Sequence, residues 1–181
     1  LRAGGWPRKA SKENNVLFDL GVHDFDLATR FDENLSVVAS SYQCNRQPGV
    51  CDIADVLLQN PTTGLMASVH VNWLSPTPRR AMTMLGTRGL VKVDSVRQRC
   101  HVIDFPVPSK QDGRAAACAT GNDGVGEEIP ILAHDQLDYQ LLELNKALTG
   151  SQHILSTPKE AAKAVKFAQD AMTKGAFRHG K

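Results

Sequence analysis

A carboxylate and an imidazole lie four residues apart near the start of the chain. Asp19 and His23 belong to the run Val-Leu-Phe-Asp-Leu-Gly-Val-His-Asp-Phe-Asp, which covers residues 16–26. A spacing of four places both side chains on one face of a helix. A neighbouring carboxylate orients an imidazole and favours its charged form, whereas a helix N-terminus favours the neutral form. These opposing effects suit a residue that exchanges protons near neutral pH.

The same residues also fit a structural interpretation. Asp19, Asp24 and Asp26 are acidic residues at the start of a predicted helix, where negative charge is favourable whatever its chemical role. Asp19 could cap the helix, and His23 could be an ordinary histidine of its first turns. A metal site has weaker support, because no third ligand lies near the pair in the sequence.

The sequence lacks the motifs of several common enzyme classes. Gly121, Gly124 and Gly126 have neither the spacing nor the strand and helix context of a dinucleotide fingerprint. The tail from Gly175 to Lys181 imitates a phosphate-binding loop, but it follows a predicted helix and lacks the Ser/Thr. Neither a G-x-S-x-G nor an H-E-x-x-H motif occurs. The sequence therefore predicts no cofactor-binding and no metal-binding residues.

Length and charge limit the classes of partner. The 181 residues suit a single domain, and 41% of them are apolar. With 21 Lys+Arg against 19 Asp+Glu, the net charge of +2 gives no reason to expect a nucleic-acid or membrane-surface partner. No apolar run approaches the roughly 18 residues that span a bilayer. Because the first residue is Leu1, we expect translation to start upstream.

The cysteines indicate a reducing environment. Cys44, Cys51, Cys100 and Cys118 form no C-x-x-C pair, and their spacing matches no zinc pattern. A domain of this size needs no disulfides, so reduced and mostly buried thiols are expected. This favours a cytoplasmic protein.

The elements that must position Asp19 and His23 can be predicted from periodicity. Residues 1–15 form an extended lead-in, and the apolar spacing from Val16 to Arg30 predicts a helix. On the strand of residues 65–74, alternation places Trp73 on the more apolar face, which predicts a core position, and His70 on the opposite face. The predicted strands are Leu35–Tyr42, Ile53–Gln59, Leu65–Leu74, Ala81–Leu85, Leu90–Asp94 and Arg99–Ile103.

The rest of the chain predicts a loop and two helices. Residues 106–130 have no clear period and are typical of a long surface loop. A helix over residues 134–148 ends before Gly150, and a second begins at the capping box of residues 157–160 and ends at Gly175. Helix, strands and then helices predict an α+β fold, with a mainly antiparallel open sheet and helices packed on one face. The predicted apolar stripes are Leu137, Leu141, Leu144 and Leu148 on the first of these helices and Ala161, Ala164, Val165, Ala168 and Met172 on the second.

The run around Asp19 and His23 resembles the segment that opens the C-terminal domain of the glucose–fructose oxidoreductase/inositol dehydrogenase (Gfo/Idh/MocA) family. Residues 64–89 contain Gly-Leu-Met-Ala-Ser-Val-His-Val-Asn-Trp-Leu-Ser-Pro-Thr, then Arg79-Arg80 and Gly-Thr-Arg-Gly, and they resemble the family's central strands. They are most similar to the branch that acts on UDP-linked N-acetyl sugars. The order and length of the last two helices match as well, so the resemblance covers essentially the whole chain.

The resemblance implies roles for four residues. His23 corresponds to the histidine that takes or gives the substrate hydroxyl proton, and Asp19 to the aspartate that orients it or holds the substrate. Arg2 and Trp6 lie in the lead-in, which lines the sugar pocket in related proteins; otherwise they are a solvated arginine and a half-buried aromatic residue. A nucleotide sugar or polyol is the implied substrate, and a homo-oligomer through the open sheet face is the implied assembly.

The chain departs from the family by lacking the N-terminal Rossmann domain and its Glu-Lys-Pro motif. A dehydrogenase must position a nicotinamide against the reacting carbon. The resemblance thus implies the substrate-binding and oligomerisation domain of an NAD(P)-dependent sugar or cyclitol oxidoreductase, inactive as this chain alone and binding no cofactor by itself. The alternative is a free-standing, non-catalytic homo-oligomeric or ligand-binding module with the same fold.

Overall fold

The computed structural model of the protein describes residues 10–104, 126–131 and 135–178. The chain divides into two compact units, the first formed by Leu1–Thr77 with Glu143–Lys181 and the second by Pro78–Leu142. That residues 1–181 act as one substrate-binding and oligomerisation domain stays a prediction. The helical elements are a π-helical turn Leu17–Gly21, α1 Val22–Thr29, α2 Gln136–Leu148 and α3 Pro158–Lys174. The strands are β1 Ser36–Gln43, β2 Ile53–Gln59, β3 Met66–Asn72, β4 Ala81–Leu85, β5 Gly89–Asp94, β6 Arg99–Asp104, β7 Glu127–Ile129 and β8 Ala176–Arg178.

The first unit contains a four-stranded sheet in the order β3-β2-β1-β8. Its β1, β2 and β3 pair antiparallel, and β8 pairs parallel to β1. Side chains alternate between the two faces, so Val56 and its register partner Val69 are buried whereas Asp55 and its partner His70 are exposed. The structure confirms the faces predicted for residues 65–74 and the α+β class.

Two helices cover the inner face of this sheet. The buried stripe of α3 is Ala164, Phe167, Ala168 and Ala171, at the i, i+3, i+4 and i+7 positions of one helical face. The Phe167 ring meets Phe25 of α1 edge to face, with ring centroids 6.0 Å apart. The predicted stripe was wrong at two positions: Ala161 and Val165 are exposed, because the face that meets α1 lies toward Phe167.

The ends of α3 are set by the predicted residues. Thr157 Oγ1 accepts the N–H of Glu160, and the Glu160 carboxylate accepts the N–H of Thr157, with Pro158 as the first helical residue. This confirms the capping box. The helix ends where Gly175 adopts an extended backbone, with φ −71° and ψ 137°. A side chain does not fit at this position, because a Cβ would lie 2.6 Å from the Tyr42 ring.

The second unit contains an antiparallel sheet in the order β4-β5-β6-β7. A hairpin joins β4 to β5, with the N–H of Gly86 donating to the carbonyl of Gly89. Arg99 of β6 forms two hydrogen bonds with Glu128 of β7, at 2.7 and 2.6 Å. Strand β7 lies within the segment predicted as the 106–130 loop, and residues 106–125 lie outside the described part of the chain.

Helix α2 carries its predicted leucine stripe in an exposed position. Leu137, Leu141, Leu144 and Leu148 are all exposed. The helix ends at Leu148, before Gly150 as predicted, and Gly150 adopts a left-handed conformation with φ +73°. Of the helices that the structure describes, none has the length and apolar character to cross a lipid bilayer.

A buried carboxylate joins α2 to the segment that follows it. Glu143 is only 2% exposed; its Oε1 accepts from Lys146 Nζ at 2.6 Å and its Oε2 from the N–H of Ile154 at 2.8 Å. These hydrogen bonds hold the pKa of Glu143 below its ordinary value of 4.5, and the bond from Lys146 has the largest effect.

Glu143 therefore predicts an acid-sensitive contribution to stability. A carboxyl whose pKa is lowered on folding stabilises the fold above its unfolded pKa, and this contribution is lost as pH falls through the folded pKa. We expect Glu143→Gln to lower the free energy of unfolding at about pH 7 and to differ much less from the wild type at about pH 3. Urea denaturation at both pH values measures this. An equal difference at both would contradict it.

Candidate functional site

The segment that carries Asp19 and His23 is anchored at its start by Asn15. This residue is fully buried; its Oδ1 accepts the N–H of Leu17 at 3.0 Å, and its carbonyl accepts the N–H of Asp19 at 3.0 Å. Its Nδ2 donates to the carbonyl of Lys12 at 2.8 Å. Asn15 thus satisfies the first free backbone donors of the helical segment, the capping role that the structural interpretation gave to Asp19.

The first turn of the segment is π-helical rather than α-helical. The N–H of Val22 bonds to the carbonyl of Leu17, five residues earlier, and the α-helical part begins at Val22. The sequence predicted one continuous helix over residues 16–30. The structure differs from this prediction in the first turn, which is wider than an α-helical turn. Single π turns are rare and occur frequently at functional sites. Here the turn carries Asp19 and leads directly into the turn that carries His23.

Both predicted catalytic residues reach the surface. Asp19 and His23 are exposed, whereas Leu17, Gly21 and Phe25 on the other side of the same segment are buried. The burial of one face fixes the segment on the core, and the opposite face presents a carboxylate and an imidazole to solvent. A substrate could therefore contact both side chains without opening the core.

Asp19 is held by a tryptophan rather than by His23. The indole Nε1 of Trp73 donates to Asp19 Oδ2 at 2.9 Å, across 54 residues of sequence. Within residues 10–104, no hydrogen bond or ion pair joins Asp19 to His23. The spacing argument placed both residues on one face of a helix, but it did not identify this partner. Trp73 is a core residue as predicted, with 8% of its surface exposed. Sequence reasoning did not predict that its indole N–H donates a hydrogen bond to a site residue.

Trp73 is itself positioned by the segment that precedes β2. Its backbone N–H donates to the carbonyl of Asp52 at 2.9 Å, and the N–H of Val16 donates to the adjacent carbonyl of Cys51 at 3.0 Å. The residue after β3 and the start of the helical segment are therefore both hydrogen-bonded to the adjacent residues Cys51 and Asp52. Asp52 is fully buried, and its carboxylate accepts from the side chain and N–H of Asn45 and from the N–H of Arg46, at 2.7–3.0 Å.

The nearby thiols have environments that suppress reactivity. Cys44 and Cys51 are free and buried, and burial raises the pKa of both, that of Cys51 to about 12. A thiol with a raised pKa supplies little thiolate at neutral pH, and the thiolate is the nucleophile. The burial of these two thiols agrees with the expectation; Cys100 is half-buried, and Cys118 lies outside the described residues.

Comparison with known families decides the identity of the fold. The family described as GFO/IDH/MocA C-terminal domain matches residues 2–92, which is half of the chain. The chain belongs to this family. The sequence matches none of the curated proteins with which it was compared.

Solved structures share the fold of this GFO/IDH/MocA C-terminal domain. KijD10, a 3-ketoreductase from Actinomadura kijaniata in complex with TDP-benzene and NADP, superimposes with a TM-score of 0.71 at 15% identity, over 97% of this chain and 51% of that one. UDP-N-acetylglucosamine 3-dehydrogenase GnnA from Acidithiobacillus ferrooxidans gives a TM-score of 0.74 at 15% identity, over 96% of this chain and 50% of that one. The chain thus spans about half the length of these proteins.

We searched the described part of the GFO/IDH/MocA C-terminal domain for the strand, turn and helix that hold a nicotinamide dinucleotide in Rossmann folds. Such cofactors bind where a parallel strand leads through a glycine-rich turn into a helix. In residues 10–104, 126–131 and 135–178, no strand continues into a helix through such a turn. Across these same ranges, His, Cys, Asp and Glu form no group of three that could hold a metal ion.

The other two predicted site residues remain predictions. Arg2 and Trp6, expected from the resemblance to line the substrate pocket, lie outside the described residues. The family match does include both positions, since it begins at residue 2.

Proposed function

We propose that this chain is the substrate-binding half of an NAD(P)-dependent oxidoreductase that acts on a sugar, and that His23 is its acid/base residue. The observation that carries the proposal is the exposure of Asp19 and His23 on consecutive turns of a segment whose opposite face is buried. An imidazole is the side chain that most often transfers protons near neutral pH, and it must reach the substrate to do so.

The oxidation of a secondary alcohol removes a proton from the hydroxyl group and a hydride from the carbon. His23 takes the hydroxyl proton in this direction and returns it in the reverse direction. Asp19 accepts a hydrogen bond from the substrate or orients the imidazole. The hydride acceptor is NAD(P), bound by a nucleotide-binding half that the described residues of this chain do not supply.

We extend the proposal to the class of substrate. The solved relatives include a 3-ketoreductase in complex with TDP-benzene and a UDP-N-acetylglucosamine 3-dehydrogenase, which supports a nucleotide sugar as the substrate of this protein as well. In this proposal Arg2 and Trp6 line the sugar pocket. The free thiols of Cys44 and Cys51 support a reducing compartment and hence the cytoplasm.

The open face of the first sheet is proposed as an oligomer contact. Val38 and Met66 are exposed there, and the His70 Nδ1 and Asp55 Oδ1 atoms lie 2.7 Å apart on the same face. An apolar patch interrupted by a polar pair is typical of a subunit contact. Sedimentation equilibrium measures the assembly; a monomer at micromolar concentration would contradict this part of the proposal.

The proposal is tested by comparing this chain with the product of the complete reading frame. We expect the complete product to reduce NAD(P)⁺ in the presence of a UDP-N-acetyl sugar, and this chain alone to bind the sugar but not NAD(P)H in calorimetry. A complete product without any such turnover, on UDP- or TDP-sugars alike, would contradict the proposal. So would tight binding of NAD(P)H by this chain.

A free-standing binding module is the second candidate. The exposed sheet face and the exposed leucines of α2 favour it, because both are surfaces that an interaction protein can use. The coding DNA upstream of Leu1 discriminates the two. An in-frame strand, G-x-G-x-x-G turn and helix followed by Glu-Lys-Pro would support the enzyme, whereas a start codon close upstream would support the module.

A further inference from the structure

We infer that Trp73 is a positioning residue for Asp19, and that Asp19 receives a substrate hydroxyl on the carboxylate oxygen that Trp73 leaves open. This inference rests on the proposed function, because it concerns the same site. Its basis is the hydrogen bond from Trp73 Nε1 to Asp19 Oδ2 at 2.9 Å. An indole N–H can only donate, so it selects an acceptor and holds it in one orientation.

Trp73 can hold Asp19 because it is fixed at both its backbone and its ring. The side chain is buried within the core, and the backbone N–H is bonded to the carbonyl of Asp52. The carboxylate of Asp52 is in turn fully buried and accepts three hydrogen bonds from Asn45 and Arg46. A rigid donor with a supported backbone restricts the rotation of an exposed carboxylate, which is the role of residues that lie behind a site.

The free oxygen of Asp19 defines what the carboxylate can bind. Within the described residues, no hydrogen bond reaches Asp19 Oδ1, and the residue is exposed. A carboxylate held through one oxygen keeps both acceptor sites of the other oxygen open and in a restricted orientation. Such an acceptor suits a hydroxyl group of a sugar, and it lies one turn before His23 on the exposed face of the segment.

Nuclear magnetic resonance of this chain tests the contact itself. The chain has two tryptophans, Trp6 and Trp73, so its spectrum has two indole N–H signals, assigned by Trp73→Phe. We expect Asp19→Asn to shift the Trp73 signal and to speed its exchange with solvent by roughly 10-fold, since a bond to a charged acceptor is lost. Asp138→Asn, an exposed carboxylate on α2, is the matched control and should move neither signal.

Calorimetry with UDP-N-acetylglucosamine as the probe tests the positioning role. We expect Asp19→Asn and Trp73→Phe each to weaken binding by roughly 10-fold, the equivalent of a single charge-assisted hydrogen bond. The double variant should bind no more weakly than Asp19→Asn alone, because Trp73 acts through Asp19. A tryptophan with a merely structural role would add its own loss to that of Asp19→Asn.

The outcomes separate this inference from the proposed function. A Trp73 signal that ignores Asp19→Asn, or losses that add in the double variant, would overturn the positioning role. If the wild-type chain does not bind UDP-N-acetylglucosamine, the substrate assignment of the proposed function fails. In that case the positioning role is decided only by nuclear magnetic resonance. The measurement compares the Trp73 indole signal of the wild type with that of Asp19→Asn, a variant in which Trp73 itself is unchanged.

Discussion

Replacing His23 by alanine in the complete gene product is expected to lower the turnover of a nucleotide sugar by about 10²–10⁴-fold. The free energy of unfolding should change by no more than about 0.5 kcal/mol. In the proposed mechanism the large effect follows from the loss of the group that takes the hydroxyl proton. The small effect follows from the exposure of His23 on α1, where the residues that hold the helix lie on its other face.

Turnover is measured by the absorbance of the reduced cofactor, and stability by urea denaturation of the same samples. The fall should be in kcat more than in KM, as expected for a group that acts in the transition state. His153→Ala is the matched control, because His153 is also exposed but follows α2. Undiminished turnover in the His23 variant, or an equal loss in the control, would exclude the acid/base role.

The elements of this fold could be predicted because local patterns specify them. Alternation of apolar residues over positions 65–74 predicted which face of β3 is buried, and Val69 and Val71 are indeed in the core. The capping box at Thr157 fixed the start of α3, because its two reciprocal hydrogen bonds join residues only three positions apart. Signals of this kind depend on neighbours in sequence.

The contacts that build the site could not be predicted in the same way. The bond between Trp73 and Asp19 crosses 54 residues, and the Asn15 side chain caps a turn that the sequence assigned to an ordinary α-helix. Both depend on how β3 and the helical segment pack, which propensity does not encode. An available signal was that a buried tryptophan N–H needs an acceptor, and Asp19 was already a candidate site residue.

Periodicity also identifies a face without identifying its partner. Four leucines were predicted to form the apolar stripe of α2, yet Leu148 is 79% exposed and the other three leucines are exposed as well. In α3, conversely, the residues that meet α1 include Phe167, which the predicted stripe omitted. Where two helices cross is decided by the shapes of their side chains, so the pattern alone leaves the contact undetermined.

Replacing Phe25 by alanine is expected to cost about 3–5 kcal/mol of the free energy of unfolding, the range for removing a fully buried phenylalanine. The Phe25 side chain is inaccessible to solvent, and its ring meets Phe167 of α3 at an interplanar angle of 82°. The ring also packs on the π turn, where a Cβ at Gly21 would lie 3.3 Å from it. Removal of the ring therefore leaves a cavity between α1, α3 and the turn that carries Asp19.

The control makes the same chemical change on the surface of the same unit. Phe31 is 54% exposed, so Phe31→Ala should change stability by only about 0.5 kcal/mol. The buried Trp73 belongs to the first unit, so tryptophan fluorescence follows the urea denaturation of that unit. Equal losses in the two variants would mean that burial of Phe25 does not hold α1 in place. A large loss for Phe25 alone would show that its burial stabilises the packing of α1, the helix whose opposite face carries the exposed His23.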